Sequence, residues 1–330
     1  MTTDTSQQAL SGLEQSLIKR PPRSLWKDAW RRLLRNKAAL GGAIAILLFA
    51  LLALFAPLIA PHNPLQINSG KEALPPAWAK TSPVGKAGDP NFLLGTDQLG
   101  RDVLSRTIYG TRVSIVVGFI PVAIILLLGI TVGMVAGYRG GRIDNILMRA
   151  ADIIYAFPAL LFFIIVMTAL RDTPIGQAMN GMVLLFLALS MVSWVGLARL
   201  VRGQVMSLKR KEFIEAARMI GAPGSQIMFR HLLPNCLGPI IVATAFAIPG
   251  AIITEATFGY LGIGLRPSTN PKDVFITSWG ALMLDGQSSV NAQPWILLAP
   301  AICVALIVLA FNYLGDGLRD ALDPRLAGTE

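Results

Sequence analysis

Long uncharged runs alternate with charged or Pro/Gly-rich intervals along the whole chain. The first run, residues 38–60, would be roughly 34 Å long as a helix, more than the ~30 Å of a bilayer's hydrocarbon core. Its length, with Pro57 and Pro61 standing where cleavage would fall, predicts a retained span and not a removed signal. Further spans are expected over 113–138, over 153–170 with a bend at Pro158, over 182–198, over 237–254 with an interruption at Pro249-Gly250, and over 294–314. The pattern therefore predicts an all-α, polytopic membrane protein with about six transmembrane helices. The expected organisation is a tail (1–37), a first span (38–60), an outer loop (61–111), a core holding five spans and the loop 207–234 (112–315), and a second tail (316–330).

Several positions refine this outline. In the first tail, Leu25, Trp26, Trp30, Leu33 and Leu34 recur at helical spacing among basic residues, the pattern of an amphipathic helix lying on a membrane surface. Gly129, Gly133 and Gly137 repeat every fourth residue and present one side-chain-free helix face to a neighbour. The outer loop ends in a tract that contains Gly95, Thr96, Asp97, Gly100, Arg101 and Asp102. There Asp97 suits an Asx turn closed by Gly100, and Asp102 suits the cap of a short helix. Near the outer end of the fifth span lies Glu255, with no arginine close in sequence. An acid at that depth is either a gate or substrate group, or a structural acid bonded to the 259–264 backbone.

Composition agrees with the bilayer and narrows the chemistry. Hydrophobic residues make up 53% of the 330 positions and charged ones only 15%, well below the usual quarter of a soluble domain. The net charge of +10 could suggest nucleic acid, but the basic residues are dispersed between apolar runs and form no stripe among aromatics. Twenty of the 29 lysines and arginines fall in 1–37, 139–149, 199–233 and the C-terminal tail. By the positive-inside rule those segments, and both termini, face the cytoplasm and its anionic lipid. Cys236 and Cys303 offer no disulfide framework, and His62 and His231 are expected on opposite sides of the membrane, so no metal or His-based site is predicted. No phosphate-binding loop is present, since Gly70-Lys71 and Gly85-Lys86 lack both the upstream glycine and the following hydroxyl. No catalytic constellation or cofactor site follows from the residues, and an enzyme is not expected.

The loop 207–234 is the longest charged interval between spans in the C-terminal half. Ser207 is expected to cap a helix running to Ile220, with Gly221 as the left-handed residue past its end. Pro223 should open a second short helix that Pro234 closes. Ala216 and Ala217 leave room for another backbone, and Glu215 and Arg218 flank them as candidate ionic contacts, so the segment reads as a docking knob or as a surface helix on the membrane.

Glu215-Ala216-Ala217, followed by Gly221 and then His231-Leu232-Leu233-Pro234, resembles the EAA loop of membrane subunits of binding-protein-dependent ABC importers. The tracts Leu94-Gly95-Thr96-Asp97, Gly100-Arg101-Asp102 and Gly315-Asp316-Gly317-Leu318-Arg319-Asp320 resemble the C-type permeases of the peptide/nickel subfamily, most closely oligopeptide permease C subunits. This resemblance, from about residue 23 to 326, implies a type I importer permease fold in the bacterial inner membrane. It further implies a homologous B-type permease partner, two ATPase subunits carrying ATP and Mg on the cytoplasmic side, and an extracytoplasmic peptide-binding protein. On this resemblance Glu215, Ala216, Ala217, Arg218 and Gly221 would couple to the ATPase, and the 95–102 tract would belong to the binding-protein or outer-gate side. Two alternatives are the same architecture carrying dipeptide, glutathione or nickel-chelate cargo, and an ion-driven secondary transporter.

Overall fold

A computed structural model describes residues 25–81 and 85–323 of the chain. Among these residues regular structure is helical, and the sole β-type pairing is the isolated bridge between Thr96 and Asp102. Helix α1 (Leu25–Arg35) is the amphipathic segment expected before the first span. Asn36 separates it from α2 (Lys37–Leu54), accepting hydrogen bonds from the amides of Ala38 and Ala39 at 3.1 Å each. The expected run to residue 60 breaks at Phe55, just ahead of Pro57, and resumes as one turn, α3 (Ala56–Ile59). The first span is thus 18 residues of continuous helix, roughly 27 Å.

An outer loop leads to α4 (Val103–Arg139), which begins about ten residues earlier than its uncharged stretch does. The sequence hid this start because Arg106 and Arg112 read as loop residues. In the fold Arg106 pairs with acids, and Arg112 Nε donates to the carbonyl of Ala53 at 2.8 Å. Asp102 caps α4 through the amide of Ser105 at 2.8 Å, so the helix it opens is the longest described and not a short one. The expected cytoplasmic loop at 139–149 is instead largely helix α5 (Gly141–Ala156), and α6 (Ala159–Ala169) leaves it at 81° across Phe157-Pro158. Pro158 therefore breaks the third span into two arms.

A short turn, α7 (Pro174–Gln177), and a 3-10 stretch lead into α8 (Met182–Leu208), ten residues longer than its expected apolar run. Helix α9 (Glu212–Met219) follows, then the single turn α10 (Gly224–Gln226). A π-helical stretch, Ile227–Leu232, joins α10 directly to α11 (Leu233–Tyr260). Pro234 therefore does not end the second helix of the loop; the wider π turn accommodates its missing amide. Pro249-Gly250 likewise sits inside an unbroken α11. The second outer segment contains an unexpected helix, α12 (Trp279–Gln287), and α13 (Pro294–Leu322) carries the last span eight residues past its expected end and into the expected tail.

Among the described residues five helices are long and apolar enough to cross a bilayer, and the bent pair α5/α6 makes a sixth crossing if it counts as one span. The bundle is held by close backbone approach. A β-carbon on Gly133 would lie 2.5 Å from the Ala198 carbonyl oxygen, and one on Gly137 would lie 2.8 Å from Val205 Cβ, so the glycine face of α4 packs directly on α8. Helix α2 meets α13 the same way, with Gly42 against the carbonyl of Ala310.

Candidate functional site

At one end of the bundle, α9 lies in the connection between α8 and α11. Its start is not capped by Ser207, which belongs to the last turn of α8; the chain turns over Lys209–Lys211, with the Lys211 amide bonded to the Leu208 carbonyl at 3.0 Å. Ile214 and Ala217 point inward, at 0% and 5% exposure, and join a cluster with Val201, Val205, Ile227 and Leu232. Glu215, Ala216 and Arg218 point outward. The two alanines thus have different jobs: Ala217 is filled by this chain's own core, and only Ala216 is open to another backbone.

The end of α9 is fully specified. Gly221 adopts φ +78°, its amide bonds to the Arg218 carbonyl at 2.9 Å, and the next amide, of Ala222, bonds to the Ala217 carbonyl at 3.1 Å. These two bonds form a Schellman motif, which satisfies carbonyls that a helix end otherwise leaves free. Sequence reasoning missed the apolar part of this surface. Met219 and Ile220 are 88% and 85% exposed beside the outward-facing polar residues, and Phe213 is also exposed. A charge-based search passes over such residues, although apolar side chains bracketing Glu215 and Arg218 were visible in the sequence.

The surface is rigidly mounted. Arg218 sits 5.9 Å from the centroid of the Tyr138 ring, Lys209 Nζ donates to the carbonyl of Gly137 at 2.8 Å, and the ring of Tyr138 would be 3.0 Å from a β-carbon on Gly224. Two turns deeper along α8, Arg202 grips Asp144 through two bonds of 2.5 and 2.7 Å. Helix α9 is therefore tied to the junction of α4 and α5, and after the turn at 220–223 the chain runs on through α10 and the π stretch into α11.

At the opposite end, the 95–102 tract forms the interior of a folded loop and not an exposed face. Thr96, Asp97 and Asp102 are 0%, 2% and 1% exposed. Asp97 closes the expected Asx turn, accepting from the amides of Leu99 and Arg101 at 2.9 Å each, and Gly100 has φ +74°. Its other oxygen takes Arg101 Nε at 2.7 Å and Arg106 Nη1 at 2.5 Å. Both arginines also reach Asp285 on α12, at 3.4 and 3.0 Å. Gly95 is required because a β-carbon there would overlap the carbonyl of Leu74. The tract thus latches the start of α4 to α12. Beside it the buried Trp279 donates Nε1–H to the carbonyl of Thr107 at 2.9 Å.

Glu255 is fully buried in α11 beside Ser278, and neither carboxylate oxygen meets a partner at good hydrogen-bond geometry among the described residues. The expected bond to the 259–264 backbone does not form, because the amides of Gly262, Ile263 and Gly264 are taken by the carbonyls of Gly259 and Phe258. Further along, hydrogen bonds from Ser268 and Asn180, with a smaller contribution from Asn270, hold the Asp273 carboxyl below its ordinary range and tie the 266–276 loop to the start of α8.

Residues 129–328 match the family described as binding-protein-dependent transport system inner membrane component. Residues 24–76 match the N-terminal TM domain of oligopeptide transport permease C. The chain is 38% identical to the dipeptide transport system permease protein DppC of Bacillus subtilis, over 95% of this chain and 90% of that protein. It is also 38% identical to the oligopeptide transport system permease protein OppC of Escherichia coli K12, over 92% of each. Among solved structures it resembles a chain of the inward-facing MetNI methionine ABC transporter, at 17% identity with a TM-score of 0.52, covering 66% of this chain and 96% of that one. That likeness carries the fold.

Proposed function

We infer that the chain, which belongs to the family of binding-protein-dependent transport system inner membrane components, is the permease subunit of an ATP-driven importer that moves short peptides across the bacterial inner membrane. The peptide cargo rests on the relatives. Dipeptide and oligopeptide permeases are equally similar to this chain, so the cargo class is peptides and its length is set elsewhere. With no phosphate-binding loop in the sequence, the energy comes from two partner ATPases that hold ATP and Mg. A second, homologous permease completes the pathway, and an extracytoplasmic binding protein delivers the peptide. Both termini and α9 face the cytoplasm, in keeping with the distribution of basic residues.

The exposed, capped helix α9 is the observation that carries this reading. Glu215, Ala216 and Arg218, flanked by Met219 and Ile220, offer a partner a small-residue gap, two opposite charges and a desolvatable apolar edge. Gly221 serves by fixing how the helix ends, and Ala217 by anchoring it. A push on this face passes through Tyr138, Lys209 and the Arg202–Asp144 pair into α4 and α5, and through the π stretch into α11. Because α4 continues unbroken to the Asp97–Arg106–Asp285 latch, movement at the ATPase reaches α12 at the outer end. The outer tract acts in this scheme as the far anchor of the lever. Two packed arrangements of the helices then give alternating access.

Glu215→Lys and Gly221→Val, made in the assembled transporter, should abolish most ATP-dependent peptide uptake while the chain still inserts in the membrane. Unchanged uptake together with unchanged subunit association would rule out α9 as the coupling element.

A further inference from the structure

A cavity of about 470 Å³ opens at the end of the bundle opposite α9, between the turn that follows α6, the segment that follows α11, and α12. Its charged lining is Arg171, Asp172, Arg266 and Asp285; Leu265 and Leu284 supply apolar wall. The volume falls within the range of small-molecule sites, ~300–1,000 Å³.

The ionic accounting in this cavity is unequal. Asp285 is engaged by Arg101 and Arg106, and Asp172 by Arg266 Nη2 at 2.9 Å. Both acids are thereby neutralised. The Arg171 side chain, by contrast, is exposed and makes no ion pair or hydrogen bond among the described residues; its backbone amide bonds to the Thr168 carbonyl and its carbonyl accepts from Arg266. Arg266 Nη1 makes no hydrogen bond among the described residues, whereas its Nε is sealed from solvent. Two guanidinium groups thus turn unused donors toward one space, and the same pair lines the adjoining crevice below. Arg266 is also held in place: its amide bonds to the Asn180 carbonyl at 2.9 Å, and its guanidinium bonds to the Arg171 carbonyl at 2.8 Å.

We propose that this cavity receives the free α-carboxylate of the incoming peptide, with the Arg171 guanidinium and Arg266 Nη1 as its donors. A guanidinium matches a carboxylate in shape and charge, and pairs of this kind are among the strong hydrogen bonds of proteins. The rest of the wall, Gly259, Gly262, Leu265, Pro267 and Leu284, is backbone and apolar surface that tolerates varied side chains, as a site for peptides of many sequences requires. The assignment rests on the peptide-importer reading above and places the first contact of cargo with this subunit.

The test uses the complete transporter in proteoliposomes with ATP inside and loaded binding protein outside, and compares a tripeptide bearing a free C-terminus with its C-amide. The Arg171 side chain makes no hydrogen bond or ion pair among the described residues, so Arg171→Gln should assemble normally. It should lower uptake of the free acid about tenfold and leave the amide within about twofold, with Arg171→Lys restoring part of the loss. As a second readout, equilibrium dialysis of the free-acid tripeptide against the complex without binding protein should show about tenfold weaker binding for Arg171→Gln. Uptake of both peptides falling together would assign Arg171 to docking of the binding protein and overturn the proposal, as would equal affinity in the dialysis. If the wild-type transporter accumulates neither peptide with ATP, the importer reading itself fails; if it accumulates peptide but Arg171→Gln does not discriminate, only the carboxylate site fails.

Discussion

Gly221 gives the sharpest test of how α9 works, because its role can be separated from sterics. A β-carbon at this position would meet nothing within 4 Å, so substitution costs no overlap. The backbone, however, sits at φ +78°, where an L-residue other than Asn or Asp is strained by ~1–2 kcal/mol. Such a strain lowers the population of the capped end about 5–30-fold relative to an unwound one, because 1–2 kcal/mol is that factor in an equilibrium. The Gly221→Arg218 and Ala222→Ala217 bonds would be lost with it. ATP-dependent uptake by the reconstituted complex should therefore rank glycine first, then Gly221→Asn, Gly221→Ala and Gly221→Val, with subunit assembly measured in parallel. Asparagine should keep most activity because it tolerates the left-handed region. Were all three variants to match the wild type, the cap would have no mechanical role. Were Gly221→Asn to fail as badly as Gly221→Val, the glycine would be serving close approach of a partner and the conformational argument would be wrong.

Other expectations follow from the packing. Gly133→Ala should destabilise the chain by about 1–3 kcal/mol, since its β-carbon meets the Ala198 carbonyl and backbone cannot step aside. Gly196→Ala, with open space around it, should stay within about 0.5 kcal/mol in the same thermal unfolding assay in detergent. A double-mutant cycle of Asp144→Asn and Arg202→Gln should show a coupling of about 1 kcal/mol, as expected for a partly buried bidentate pair. The pKa of Asp273 is depressed in the folded chain, so its contribution is present above its ordinary value of 3.8 and is lost as pH falls through the lower folded value. Stability should therefore show no step from this group between pH 5 and 8, roughly one unit or more above that ordinary value, and Asp273→Asn should remove its share of the loss on strong acidification.

Sequence patterning located the spans because a bilayer leaves little choice: an uncharged run of span length is nearly always a helix. It also located Gly221, the Asx turn at Asp97 and the glycine face of α4, where a single local requirement decides the residue. It failed where distant partners change a residue's meaning. Arg106 and Arg112 look like loop residues until Asp97, Asp285 and the carbonyl of Ala53 are brought beside them. Helix α12 was invisible because its anchor, Trp279, gains its place from Thr107 and Gly110 across the fold. Proline misled twice in the same direction: Pro234 and Pro249 sit in continuous helix, while breaks fall at Pro158 and just ahead of Pro57. The EAA motif was legible as a motif, but only the fold separates the anchoring Ala217 from the outward Ala216 and reveals Met219 and Ile220 as its apolar edge.

The central claim is that energy enters this chain through the outward face of α9. Ala216 lies at the middle of that face, and the native Cys236 is buried, so a thiol-reactive crosslinker applied to an Ala216→Cys variant lacking Cys303 reports contacts of that one position. With the transporter assembled and active in its membrane, the account predicts a covalent adduct with an ATPase subunit, identified by mass spectrometry. An active transporter whose Ala216→Cys chain is trapped only with lipid, or with proteins that carry no ATPase, would contradict it.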